Sequence, residues 1–134
     1  MNNSPEISLW GPSIRTDNWL EIYESLKSTN SCSFKIFFCG QVRPSFTLPE
    51  DFVYIHSSTS GIAPHAEIAR RAALKSNSEY ILSMVDDLIF SEGLLDGLIS
   101  DLNSSEKETV TGPAFIPDSN FLNQNKTIRE IINC

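Results

Sequence analysis

Four short apolar runs alternate with stretches of helical spacing, and this alternation constrains the chain more than any other feature. Residues 6–10, 33–39, 52–56 and 80–85 read as strands, each stopped by glycine, proline, serine or aspartate. Between them, residues 17–28, 64–76 and 91–102 repeat apolar side chains at helical intervals. Only the second and third strands are joined by a plain loop, residues 41–51, marked by Pro44 and Pro49. Strand–helix alternation predicts an α/β fold: a mostly parallel, Rossmann-like sheet with helices on both faces. The near-continuous run from Phe34 to Cys39 predicts a strand covered on both sides, and the six residues from Tyr80 to Val85 are suited to the same environment. In the first helix Asp17 is the expected N-cap. Trp19, Tyr23 and Leu26 form its apolar stripe, which Leu20 broadens. In the second helix Pro64 fits the first turn, and Ala66, Ala69 and Ala73 form a thin face that allows close packing on a sheet. A fifth strand is expected at residues 108–115, followed by a polar tail, 117–134, with a short helix at 127–132.

A length of 134 residues fits one domain with a core of its own. The net charge of −7 disfavours nonspecific binding to nucleic acid or to an anionic membrane. No apolar run is long enough to span a bilayer. Three cysteines, Cys32, Cys39 and Cys134, without a Cys-x-x-Cys pair, predict free thiols. With no leader-like N-terminus, a cytoplasmic location is the expectation.

In a parallel sheet the C-terminal strand ends share one edge, so Pro12-Ser13, Cys39-Gly40, His56-Ser57 and Asp86-Asp87 are expected together. The adjacent carboxylates Asp86 and Asp87 are the main chemical candidates. Hard oxygens of this kind hold a divalent cation, and such a cation holds phosphate. Aspartates also cap helices and shape turns, which is the plain structural alternative. Arg70, or its neighbour Arg71, offers a guanidinium suited to phosphate, although an exposed helix arginine needs no ligand. Gly40 allows a close backbone approach to a ligand, or simply a turn. His56 and His65 lack zinc-site spacing, Cys39 reads as a buried apolar residue, and Trp10 and Trp19 read as core.

Receiver domains and haloacid-dehalogenase-type phosphatases also use carboxylates at strand ends, but after the first strand. An acid pair after the fourth strand is the arrangement of GT-A glycosyltransferases. The order of motifs resembles the N-terminal half of a family 2-like glycosyltransferase: Pro12-Ser13 closing the first strand, Ala69-Arg70-Arg71 in a helix, Ser78-Glu79-Tyr80-Ile81 opening a strand, then Asp86-Asp87 and Leu88-Ile89-Phe90-Ser91-Glu92-Gly93-Leu94-Leu95. The resemblance covers residues 5–116, a nucleotide-sugar-binding domain, with 117–134 as the start of an acceptor half that is otherwise missing. It implies a glycosyltransferase that binds a nucleotide-diphosphate sugar through Mn²⁺ or Mg²⁺. Asp87 would be the metal ligand, with Asp86 facing the ribose or assisting the metal. Pro12, Ser13, Gly40 and Arg70 would border the nucleotide sugar. The chain departs from that pattern at Val85, where the family often has a third acid, and at Cys39-Gly40-Gln41, where it usually has Asp-Gly-Ser. The alternative is a non-catalytic donor-binding or assembly module on the same fold, alone or as a homo-oligomer.

Overall fold

The computed structural model describes residues 4–87 and 90–105. The expected fifth strand, the tail helix, Cys134 and the Leu88-Ile89 part of the motif lie outside these residues. Four strands, β1 (Ile7–Pro12), β2 (Phe34–Gly40), β3 (Phe52–His56) and β4 (Tyr80–Ser83), form one all-parallel sheet in the order β3-β2-β1-β4. The described residues also form three helices: α1 (Trp19–Thr29), entered through a 3₁₀ turn at Thr16–Asn18, α2 (Ile62–Lys75) and α3 (Leu94–Asn103). The expected α/β class with a parallel sheet is what forms.

Strand alternation sorts the side chains into two layers. Ile7 and Leu9 of β1, Phe34, Ile36 and Phe38 of β2, and Phe52 of β3 are buried in one cluster with Trp19, Ile22, Tyr23 and Leu26 of α1 and Leu95 and Ile99 of α3. Trp19 sits at its centre, fully buried, with its ring centroid 5.3–5.6 Å from those of Phe38, Phe52 and Tyr54. Burying a side chain of this size contributes about 3 kcal/mol. The opposite layer is thin. Ser8, Phe37 and Cys39 are buried there, and α2 lies across β1 and β2. Its alanines allow the approach: Ala69 and Ala73 are fully buried. With residues buried on both sides, β2 fits its expected environment.

Several local expectations need correction. Ile22, not Leu20, widens the stripe of α1; Leu20 lies about 100° around the helix from Trp19, away from the sheet, and is 37% exposed. In α2 the buried stripe is His65, Ala69 and Ala73, four residues apart, with Ala66 at its half-buried margin. That helix starts at Ile62, two residues before Pro64, because proline is tolerated where no intrahelical N–H bond is due. α3 starts at Leu94 instead of Ser91, since Gly93 takes a left-handed φ of 71°. β4 is four residues long, and Ile81 and Val85 are 42% and 45% exposed. Its hydrogen-bonded neighbour among the described residues is β1, and α2 mainly covers β1 and β2. No described helix is long and apolar enough to cross a membrane.

Candidate functional site

The chain leaves β1 towards β2 and later enters β4 on the other side of β1, so the strand order reverses between β1 and β4. Ligands of open α/β sheets bind in the crevice outside the carboxyl ends at such a reversal. Register fixes which residues arrive there. Trp10 pairs with Ser83, and the Met84 amide still donates to the Trp10 carbonyl at 2.9 Å. The chain then turns out of the sheet, which brings Asp86 and Asp87 over the segment that follows β1.

Asp86 is buried, and most of its hydrogen-bonding capacity is engaged. Oδ2 accepts the Ser13 hydroxyl at 2.6 Å and the Arg15 amide at 3.3 Å; Oδ1 accepts Arg15 Nη1 at 3.1 Å. The Asp86 carbonyl accepts Asn18 Nδ2 at 2.9 Å. Ser13 Oγ in turn accepts Trp19 Nε1 at 2.6 Å. A buried relay therefore runs from the central indole through Ser13 to the carboxylate. It also explains the start of α1. The expected cap, Asp17, lies within the 3₁₀ turn, and Asn18 takes the cap position without capping, because its amide is turned to Asp86.

Asp87 differs. Its side chain is 55% exposed, and its Oδ2 lies 3.1 Å from the same Arg15 Nη1 that holds Asp86. Arg15 is itself 57% exposed. Beside the pair is a cavity of about 220 Å³ lined by Asn18, Glu21, Ile22, Ser25, Phe90 and both aspartates.

The other expected residues fall elsewhere or serve the framework. Pro12 is the last residue of β1, and the Ser13 amide donates to the Cys39 carbonyl at 3.0 Å. Gly40 admits a backbone approach, but the approaching group is the Ser13 carbonyl. Arg70 donates to Glu67 at 2.7 and 2.8 Å, and Arg71 donates to the same carboxylate at 2.9 Å. His65 is buried with Nε2 2.7 Å from the Thr59 carbonyl, and His56 Nδ1 lies 2.9 Å from the Tyr54 hydroxyl. Cys39 is fully buried, and burial pushes its thiol pKa up. Arg15, Asn18 and the hydrogen-bonding role of Trp19 were not expected from the sequence. The available signal was position: Arg15 follows Ser13 by two residues, at the edge where the acid pair was expected.

The two carboxylates differ in how open they are to a divalent cation. Mg²⁺ and Mn²⁺ accept one or two carboxylates and complete their shell with phosphate and water. Asp87 is half-exposed, with Arg15 Nη1 lying against its Oδ2. Asp86 is the more engaged of the two, with Oδ2 held by Ser13 and the Arg15 amide and Oδ1 by Arg15 Nη1, so a metal at Oδ1 would compete with the guanidinium. No group of three His, Cys, Asp or Glu side chains able to hold a metal occurs among the described residues. Comparison with protein-family models, curated proteins and solved structures gave no match.

Proposed function

We propose that the chain is the nucleotide-diphosphate-sugar-binding domain of a glycosyltransferase of the GT-A type, with the donor seated outside the ends of β1 and β4. The observation that carries this reading is the position of Asp86-Asp87: at the reversal of a four-stranded parallel sheet, after the fourth strand, beside a cavity. The cited order of motifs supports the same reading. Asp87 would hold Mn²⁺ or Mg²⁺, and the bound ion would supply Lewis-acid stabilisation of the departing nucleoside diphosphate. Asp86 has a positioning task. It anchors the segment after β1, including Arg15, to the end of β4 and holds Asn18 at the cavity.

Calorimetric titration with UDP-sugars, GDP-sugars and free nucleotides, with and without Mn²⁺, tests the reading. Metal-dependent binding of at least one of them is expected, and Asp87→Ala should abolish it. The same substitution should cost under about 0.5 kcal/mol of stability, because Asp87 is a surface residue. Absence of metal-dependent binding across the panel would remove the donor-site proposal.

A further inference from the structure

We infer that Trp19 is a positioning residue for the candidate site: its buried indole N–H sets the direction of the Ser13 hydroxyl and, through it, the grip of Asp86 on Arg15 and Asn18. The bearing on ligand binding rests on the donor-site reading above; the coupling itself does not. An indole nitrogen can only donate, and a serine hydroxyl has one proton. Ser13 Oγ accepts from Trp19 Nε1 at 2.6 Å, so its own proton points to its other partner at 2.6 Å, Asp86 Oδ2. The Arg15 amide donates to the same oxygen at 3.3 Å. With two donors aimed at Oδ2, Asp86 is kept there as an acceptor, and Oδ1 is turned to Arg15 Nη1 at 3.1 Å.

The relay begins at the most rigid point of the core. Trp19 is fully buried and packed on Phe38, Phe52 and Tyr54, and Ser13 and Asp86 are buried as well. In a buried chain of hydrogen bonds each link polarises the next, so a change at one end is felt at the other. Asn18, the residue before Trp19, donates to the Asp86 carbonyl, so Asp86 is held through side chain and main chain together. The cavity has one wall on α1, from Asn18 to Ser25, and another made by the acid pair and Phe90. Trp19 belongs to α1, and its N–H reaches the second wall through Ser13. Without that N–H the Ser13 hydroxyl can rotate, its proton can turn away from Asp86, and the spacing of the two walls loses its reference to the core.

The test perturbs one end of the relay and reads the other by NMR, with no ligand added. Asp86→Asn is isosteric, and its side chain meets Ser13 and not the indole. It should still shift the Trp19 indole N–H signal, because the Ser13 proton loses its charged acceptor; Trp10→Phe identifies the other indole signal. In the reverse direction, Trp19→Phe keeps an aromatic ring in the core and should shift the Arg15 Nε–H and Asn18 side-chain amide signals. Ser13→Ala should move the signals at both ends. A Trp19 that only packs would leave its indole signal in place in Asp86→Asn, and that result overturns the inference. Arg15 and Asn18 signals unmoved in Ser13→Ala overturn it too. Where a variant fails to fold, the wild type decides. Its Ser13 hydroxyl proton, held between two buried partners, should exchange slowly enough to be observed, and fast exchange with water refutes the relay. If no nucleotide sugar binds the wild type while these shifts are seen, the donor reading falls and the relay stands.

Discussion

At the scale of single residues, Ser13 has the most consequential contacts. Its hydroxyl accepts from Trp19 Nε1 and donates to Asp86 Oδ2, both at 2.6 Å and both buried. Ser13→Ala would strand an indole N–H in the core and remove the shortest bond to a buried carboxylate. Each unsatisfied buried group costs about 1–3 kcal/mol, so a loss of roughly 2–4 kcal/mol is expected in urea denaturation. A variant as stable as wild type would show that water replaces the hydroxyl. Cys32 and Cys39 behave differently. Burial, then the neighbouring Asp96 carboxylate, pushes the Cys32 thiol up to about 12, and burial alone raises Cys39. Neither environment activates a nucleophile, in keeping with the plain reading of Cys39.

At the scale of elements, two glycines set how closely the strands and their loops approach. A Cβ on Gly11 would run into the Met84 carbonyl, and one on Gly40 into the Ser13 carbonyl. Neither glycine has a positive φ, so the constraint is space and not backbone conformation. Gly11→Ala should force β1 from the end of β4, and Gly40→Ala should displace the segment that carries Ser13. Each is expected to cost about 1–3 kcal/mol, measured by thermal or urea unfolding. Both should also weaken any ligand binding at the acid pair more than a stability loss alone explains.

Helix α2 carries its own pH dependence. Hydrogen bonds from Arg70, then from Arg71, pull the Glu67 carboxyl from its ordinary 4.5 to about 2. A depressed folded-state value means the unfolded chain binds the proton more readily. The contribution is therefore present above about 4.5 and is lost as pH falls towards about 2. Glu67→Gln should flatten the acid limb of the stability profile in that window and leave it unchanged at neutral pH apart from the lost ion pairs. The effect will be small, since all three side chains are substantially exposed. The same sign applies to Asp96. Amide bonds from Ser31, then Cys32, lower its carboxyl while they tie α3 to the entry of β2.

For the whole molecule, the donor-site reading predicts linkage between binding and unfolding. With Mn²⁺ and a nucleotide sugar at ten times the dissociation constant, stability should rise by about 1.4 kcal/mol, or roughly 5 °C in Tm. Either component alone should give less, and Asp87→Ala should give none. Equal shifts in wild type and Asp87→Ala would place the ligand somewhere other than the acid pair. One competing location is a broader cavity of about 560 Å³ at the opposite end of the sheet, bordered by Glu6, Cys32, Asp96 and Asn103.

Much of this architecture was legible because it is locally encoded. The run from Phe34 to Cys39 can only be satisfied by cover on both faces, and it lies buried as expected. Proline and glycine marked the loops, and the alanines of α2 gave away its close packing. The errors arose where distant groups intervene. Leu20 and Ile22 both fit a helical stripe, and only the position of the sheet chooses between them. Tyr80–Val85 has the composition of a buried strand, but its cover depends on which elements lie beside it.

The acid pair divides along the same line. The sequence alone placed Asp86 and Asp87 at the end of the fourth strand, because a parallel α/β pattern fixes which ends share an edge. Residue type and spacing did not distinguish the two carboxylates, since adjacent aspartates are identical in local code; only the family resemblance ranked Asp87 ahead of Asp86. Tertiary structure made the distinction. Pairing of β1 with β4 brings Ser13 against Asp86, 73 residues away, and the turn that follows leaves Asp87 half in solvent. One carboxylate is thereby bound into the fold and the other left half-exposed, a difference set by the donors within reach of each oxygen.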